Sequence, residues 1–366
     1  MANKAVIGLG FGDEGKGLVT NYLCLQNPKA LVVRYSGGQQ AGHTVIKDDI
    51  RHVFSNFGSG TLNGNPTYWS EFCTVDPIGV YQELQVLLSK GIKPLLYIDA
   101  MCPVTTPMEK RLNQTLDMEH GTCGCGVWRT HLRERNGASI LFEDLAFPSV
   151  LDMKLKALSS TYPPGVYDEQ EISIFKYCCN MLLQSSHVQG IFGIPEAEEY
   201  IFESSQGLLL DPAFGFYPHV TASSVGSANI LKFPIEVPEF YLVTRAYQTR
   251  HGNGPMTNAQ FPLNITPNPV ETNVFNQYQL DFRTSVLDLE LLMYGASKDF
   301  AISTSPENTL VITCLDQMNS FSLSDDNKVI HFDNEESFVN HIANQMVTPH
   351  VLLSHSPRSE CITHFK

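Results

Sequence analysis

Asp13, Lys16 and His43 are the residues whose types and settings could do chemistry. Asp13 and Lys16 fall in Gly8-Leu9-Gly10-Phe11-Gly12-Asp13-Glu14-Gly15-Lys16-Gly17. An apolar run, Lys4-Ala5-Val6-Ile7, precedes this stretch, and apolar residues at helical spacing follow it through Cys24. Strand, glycine loop and helix together cradle phosphate. Glycines let backbone N–H groups approach the oxygens, and the helix presents its positive end. Gly10-x4-Gly15-Lys16 is most of a P-loop, but Gly17 stands where a P-loop has the Ser or Thr that binds Mg²⁺. Asp13 supplies a carboxylate inside the loop instead, able to bind a metal or take a proton. The bland alternative is a glycine-rich turn entering a helix.

His43 lies on the glycine-rich loop Ser36-Gly37-Gly38-Gln39-Gln40-Ala41-Gly42-His43-Thr44, directly after the strand-like Ala30–Tyr35. Loops at strand ends are where open α/β sheets bind ligands. The same placement recurs at Ser204-Ser205-Gln206-Gly207 after Tyr200–Glu203, and at Thr249-Arg250-His251-Gly252-Asn253-Gly254-Pro255 after Phe240–Tyr247. It recurs again at Cys314-Leu315-Asp316 after Thr309–Thr313, and at Ser354-His355-Ser356-Pro357 after His350–Leu353. Gly121-Thr122-Cys123-Gly124-Cys125-Gly126 is a further glycine loop. Arg129, Arg133 and Arg135 follow it, either to hold an anion or as a solvated helix face.

Helices are expected at Ile78–Ser89 behind Asp76-Pro77, from Pro107 to about Met118, at Ser285–Tyr294 and at Glu335–Met346. Residues 149–187 read as a helical insertion interrupted at Tyr162–Gly165, and the Pro- and Asn-rich 260–282 as a mobile loop. Strand after strand followed by a polar loop predicts an α/β fold. One large, mostly parallel central sheet, flanked by helices, should carry a P-loop-like N-terminal phosphate loop and a site along its carboxyl edge. All 366 residues are expected in one such domain.

A formal net charge of −14 opposes a broad nucleic-acid or anionic-membrane surface. No apolar run is long enough to span a membrane, and the N-terminal residues lack a basic-then-apolar leader. Nine cysteines without a Cys-x2-Cys pair give little support for zinc and read as reduced and cytoplasmic.

Taken in order, these loops resemble adenylosuccinate synthetase. Gly12–Gly17 matches that family's phosphate loop. Gly38–Thr44 is similar to its Asn-Ala-Gly-His-Thr loop, and Gly121–Gly124 to its Gly-Thr-Thr-Gly. Gln206–Asp211 resembles Gln-Gly-Thr-Leu-Leu-Asp, and Ala246–Arg250 resembles Ala-Tyr-Thr-Thr-Arg. The resemblance implies a ligase that uses GTP and Mg²⁺ to phosphorylate a purine 6-oxygen, then lets the amine of aspartate displace the phosphate. Asp13 would be the base at ring N1 and a metal ligand, and Gly42 would lend the metal its carbonyl. His43 would be the acid at the leaving phosphate, Lys16 would neutralise the phosphoryl group and Gln206 would hold the 6-oxygen. Gly12, Gly15, Lys16 and Gly17 would bind the GTP phosphates, with Asp316, Ser356 and Pro357 on the guanine. Gln40, Thr122, Cys123, Arg135, Thr221, Arg250, Gln277 and Arg283 would hold the purine nucleotide and the amino acid. A cytoplasmic homodimer is implied, with no nucleic-acid or membrane partner.

Departures from the family pattern cluster on acceptor and amine. Gln40 and Cys123 replace an Asn and a Thr at the acceptor 5′-phosphate, and Val225-Gly226 replaces a Thr pair. The aspartate loop Thr-Thr-Gly-Arg-x-Arg aligns with Asn276–Arg283, where only Arg283 survives. The alternatives are an acceptor such as (d)GMP, as in phage relatives, another amine, or a GTP sensor without turnover. Those phage enzymes typically replace the loop carboxylate, which Asp13 retains.

Overall fold

The computed structural model describes every residue except Met1, 118–121, Val270, Thr272, Val274, Asn276, Gln277, Gln279 and Lys366. Its main sheet has ten strands. From one edge they run Thr363–His364, His350–Leu353, Thr309–Thr313, Glu239–Arg245, Lys4–Gly8, Tyr200–Gly207, Leu31–Arg34, Thr67–Trp69, Leu96–Asp99 and Val188–Ile191. Every pairing is parallel except that of Thr363–His364. The strands are short and apolar on both faces, as strands covered twice must be. Ala5, Ile7, Val33, Phe202, Leu242 and Ile312 pack to one side, where helices Leu289–Lys298 and Glu335–Met346 lie. Val6, Val32, Ile201, Val243 and Val311 face the other side, against helix Lys16–Gln26. A third apolar cluster joins Trp69, Leu96 and Ile98 to helices Pro77–Ser89 and Glu169–Leu183.

Local signals place the helices. The Asp76 side chain accepts from the Ile78 amide at 3.1 Å, and Thr106 with Glu109 forms a capping box ahead of Pro107–Leu116. The 149–187 region holds helices Pro148–Thr161 and Glu169–Leu183. Ser285–Tyr294 is corrected. Phe282–Ser285 and Leu287–Asp288 are extended, and the helix begins at Leu289, capped by Asp288. The β-branched and paired residues before Asp288 favour pairing with neighbours over an early helical turn. Ile50–Phe54 is one arm of an antiparallel hairpin with His43–Lys47, outside the main sheet.

The central strand ends at Gly8, and its neighbour Tyr200–Gly207 bulges between Glu203 and Gly207. A bulge re-aims side chains, here those of Ser204 to Gln206. No described helix is long and apolar enough to cross a membrane.

Candidate active site

The carboxyl ends of the strands open onto a cleft of about 610 Å³. Asp13, Lys16, His43 and Gln206, brought from three separate loops, all line it.

The phosphate loop already binds an anion of its own. Oε1 of Glu14 accepts from the amides of Gly10 at 3.1 Å and Gly12 at 2.8 Å, and Oε2 meets the Lys16 ammonium at 2.6 Å. Glu14 and Lys16 are both buried. Backbone donors that hold a carboxylate have the geometry to hold phosphate oxygens. Gly12 donates to Glu14 and does not line the cleft itself, whereas Gly15 and Gly17 do. Gly15 caps helix Lys16–Gln26 at φ +99°, a conformation open to glycine, with Thr313 packed beneath it.

Asp13 sits in the left-handed region at φ +62°. Arg245 Nε donates to its carbonyl at 2.6 Å, and Thr249 Oγ1 to the Gly12 carbonyl at 3.2 Å. Its carboxylate is 24% exposed, with His251 Nδ1 3.8 Å away. Burial raises its pKa, against the lowering pull of His251 and Arg245. A positioned carboxylate whose proton affinity is raised suits a general base.

His43 is oriented from behind. Its Nδ1 lies 2.7 Å from Glu203 Oε1, which leaves Nε2 buried without a hydrogen-bond partner. Glu203 also receives the Ser59 amide at 3.2 Å and the Ser59 hydroxyl, with Arg34 Nη1 at 3.8 Å. Arg34 is fully buried over the Trp69 ring, 5.1 Å from its centroid. Burial alone would raise the Glu203 pKa, but His43, Arg34 and Ser59 draw it down to about 2. Burial lowers the pKa of His43, and Glu203 opposes that. An anionic Glu203 selects the tautomer with hydrogen on Nδ1 and supports a proton on Nε2.

Gln206 follows the bulge and approaches the phosphate loop so closely that a Cβ on Gly12 would stand 3.0 Å from its Oε1. A Cβ on Gly207 would meet the Gly10 carbonyl oxygen at 2.1 Å, so glycine is required there.

Gln40, Thr122, Cys123 and Thr221, the residues expected at the acceptor, all line the cleft. Both amide atoms of Gln40 are buried without a partner, while Thr122 receives Asn113 Nδ2 at 2.9 Å. Of the three arginines on helix Val127–Arg135, Arg129 grips Asp117 through two bonds, and Arg133 pairs with Glu109 at 3.2 Å. Arg135 is exposed, donates to the Ala222 carbonyl at 2.8 Å and stands outside the cleft lining.

Arg250 lines the cleft, buried over the Phe11 ring at 4.0 Å. It faces Arg283 across the hairpin of Gln248–His251 with Phe282–Ser285. Their guanidiniums bond carbonyls: Arg250 those of Pro255 at 2.8 Å and His219 at 3.4 Å, Arg283 those of Gly252 and Gly254. Burial, with Arg283 adding repulsion, pushes Arg250 down to about 10. Arg283 is shifted down by burial too and stands beside the cleft rather than on it. Gln277 lies outside the described residues.

Asp316, Ser356 and Pro357 line the far end. Asp316 is exposed, on the outer face of the 3-10 turn Leu315–Gln317. Cys314 turns the chain there at φ +60°.

Among the described residues no group of three or more His, Cys, Asp or Glu forms a metal cluster. One partly exposed carboxylate, Asp13, and the exposed backbone of Gly42 fit an ion such as Mg²⁺, which keeps water and takes its remaining oxygens from phosphates.

Sequence reasoning did not single out Glu14, Glu203, Arg34, Arg245 or His251. Glu203 did carry a signal, as a carboxylate inside an otherwise apolar strand.

The sequence model described as Adenylosuccinate synthetase matches residues 5–318. This chain belongs to the adenylosuccinate synthetase family. That family is one of GTP-dependent ligases. The chain is 30% identical to the adenylosuccinate synthetase of Thermosipho africanus over 86% of this chain and 80% of that one. It is 28% identical to that of Pseudothermotoga lettingae over 88% and 81%. Its fold is that of the fully ligated adenylosuccinate synthetase of Plasmodium falciparum, with a TM-score of 0.76 at 17% identity and full coverage of both chains. The succinoaminodeoxyadenylate synthetase of cyanophage S-2L, solved with dGMP and with dATP as energy donor, is similar at a TM-score of 0.67 and 15% identity, over 100% of this chain and 95% of that one.

Proposed function

We propose that the protein uses GTP, with Mg²⁺, to phosphorylate the 6-oxo group of a purine nucleotide and then replaces it with the amine of aspartate, giving an adenylosuccinate-type product. The observation that carries this reading is the meeting of Asp13, Lys16, His43 and Gln206 in one cleft with the phosphate loop. Phosphoryl transfer needs positioning and charge neutralisation more than covalent help. Asp13, held in place by Arg245, removes the ring N1 proton as the 6-oxygen becomes nucleophilic. Gln206 donates its amide to that oxygen as it turns anionic. Lys16 leaves Glu14 and meets the phosphoryl group. His43 donates from Nε2 to the phosphate that the amine expels. Asp13 and the Gly42 carbonyl would hold Mg²⁺ together with the phosphates, and the ion would supply charge neutralisation for the transferring group.

Asp316 supports GTP as donor, because a carboxylate accepts from guanine N1 and N2, where adenine offers no such pair. Arg250 and Arg283 are the proposed grip on the amino acid's carboxylate. Neither has an acidic side chain among its hydrogen bonds. Gln40 and Cys123 bear on a second reading, in which the acceptor is another purine nucleotide such as (d)GMP; an unpartnered amide in that corner favours it. We place the enzyme in the cytoplasm as a homodimer. Incubation with GTP and each of IMP, GMP and dGMP, with and without aspartate, followed by mass spectrometry, tests the reading. A succinyl-purine product supports it. Absence of one with every acceptor, in folded protein that binds GTP, overturns it.

A further inference from the structure

We propose that Cys123 and Cys125 are a modification site, a dithiol that a hydroperoxide closes to a disulfide, distorting the acceptor end of the cleft. Cys123 lines the cleft, and both thiols are half-buried. The chain turns sharply between and after them, with φ of +73° at Gly124 and +80° at Gly126. Residues two apart stand at most ~7 Å from Cα to Cα when extended, so a bend between them brings the pair into the ~4.4–6.8 Å that a disulfide accepts. Cys125 Sγ is 3.8 Å from the Cys123 carbonyl oxygen. The neighbouring Cys123 thiol, with Lys110, draws the Cys125 pKa down against its burial, while Cys125 and burial push that of Cys123 up. Cys125 is thus the thiol that ionises more readily, suited to attack, with Cys123 two residues away as the resolving thiol. By contrast Cys24, Cys73, Cys102, Cys178 and Cys179 are buried in the apolar interior.

The chemistry balances. The Cys125 thiolate attacks hydrogen peroxide, the O–O bond breaks, and the departing hydroxide takes a proton to become water. The resulting sulfenic acid is attacked by Cys123. An S–S bond forms, the S–O bond breaks, and hydroxide leaves with the Cys123 proton as a second water. Two thiols are oxidised and one peroxide is reduced. Closing the ring pulls Cys123 off the cleft wall. That consequence rests on the proposed acceptor site; the modification itself does not.

The test treats the whole protein with graded hydrogen peroxide, alkylates free thiols and maps peptides by mass. The peptide bearing Cys123 and Cys125 should lose two hydrogens and resist alkylation before exposed Cys361 reacts. Dithiothreitol should restore it. Ligation should fall at least about tenfold, the scale of a lost donor in a pocket, and return on reduction. Cys125→Ser, within about twofold of wild-type turnover untreated, should resist inactivation at the same dose. Full alkylation of both thiols after Cys361 is consumed would overturn the site. So would equal inactivation of the Cys125→Ser variant. A disulfide formed with undiminished turnover would overturn its link to the acceptor end, leaving the ligase reading intact.

Discussion

Asp13 and His43 are prepared by different means for the roles proposed for them. Arg245 holds Asp13 through its backbone in a conformation that a free chain avoids. His43 takes its orientation from a carboxylate whose charge depends on Arg34 and Ser59. Asp13→Ala and His43→Asn should each cut ligation by about two to four orders of magnitude, with the circular dichroism spectrum unchanged. Turnover within tenfold of wild type would remove that residue from the mechanism. Glu203→Gln keeps the shape but loses the anion, and should cost at least about a hundredfold in kcat with little change in the KM for GTP. Asp316→Asn should narrow the preference for GTP over ATP. Because Asp316 is exposed, the effect should be no more than about tenfold, less than a buried carboxylate would give. Arg250→Ala and Arg283→Ala should raise the KM for the amine more than that for GTP. Micromolar use of aspartate surviving the loss of both would contradict their assignment. At this scale Asp13, Lys16, His43 and Gln206 were legible because each lies on a strand-end loop with glycine beside it. Arg34 and Arg245 were not, and the signal at Glu203 named no partner, because all three serve through contacts between segments that are distant in sequence.

The bulge in Tyr200–Gly207 and the turn into Lys16–Gln26 do most to bring the site together. Gly207→Ala would force a methyl group into the Gly10 carbonyl, and Gly15→Ala would strain a φ of +99°. Each should lower stability by about 1–3 kcal/mol, seen as a fall in Tm, and should reduce ligation by displacing Gln206 or the phosphate loop. An unchanged Tm in both variants would show that these close approaches relax freely. The longer helices and central strands were readable from caps and apolar runs. The hairpin Phe321–Asp325 with Lys328–Phe332 and the three-residue strand Thr67–Trp69 were not. Three residues carry too little periodicity, and Thr67–Trp69 owes its strand to neighbours on both sides. The Ser285–Tyr294 reading failed for a related reason, since a short strand preceded a genuine helix start at Asp288.

On the scale of the whole molecule, an acidic chain with charge −14 gathers Lys16, Arg245 and Arg250 around one cleft at the carboxyl edge of its sheet. Asp13, Asp117, Glu271 and Asp316 line the same cleft, so its cations are discrete points among acids rather than the broad basic surface that nucleic acid requires. The parallel sheet and its carboxyl-edge site were legible from the repeated order of apolar run and polar loop. The strand order was not, since register and neighbours depend on long-range packing. The central claim is that the phosphoryl group passes through the acceptor's 6-oxygen. The direct measurement supplies the purine nucleotide with heavy oxygen at position 6, together with GTP and aspartate, and reads the released inorganic phosphate by mass. The account predicts one heavy oxygen in the phosphate for each ligated product; product formed alongside wholly unlabelled phosphate would contradict it.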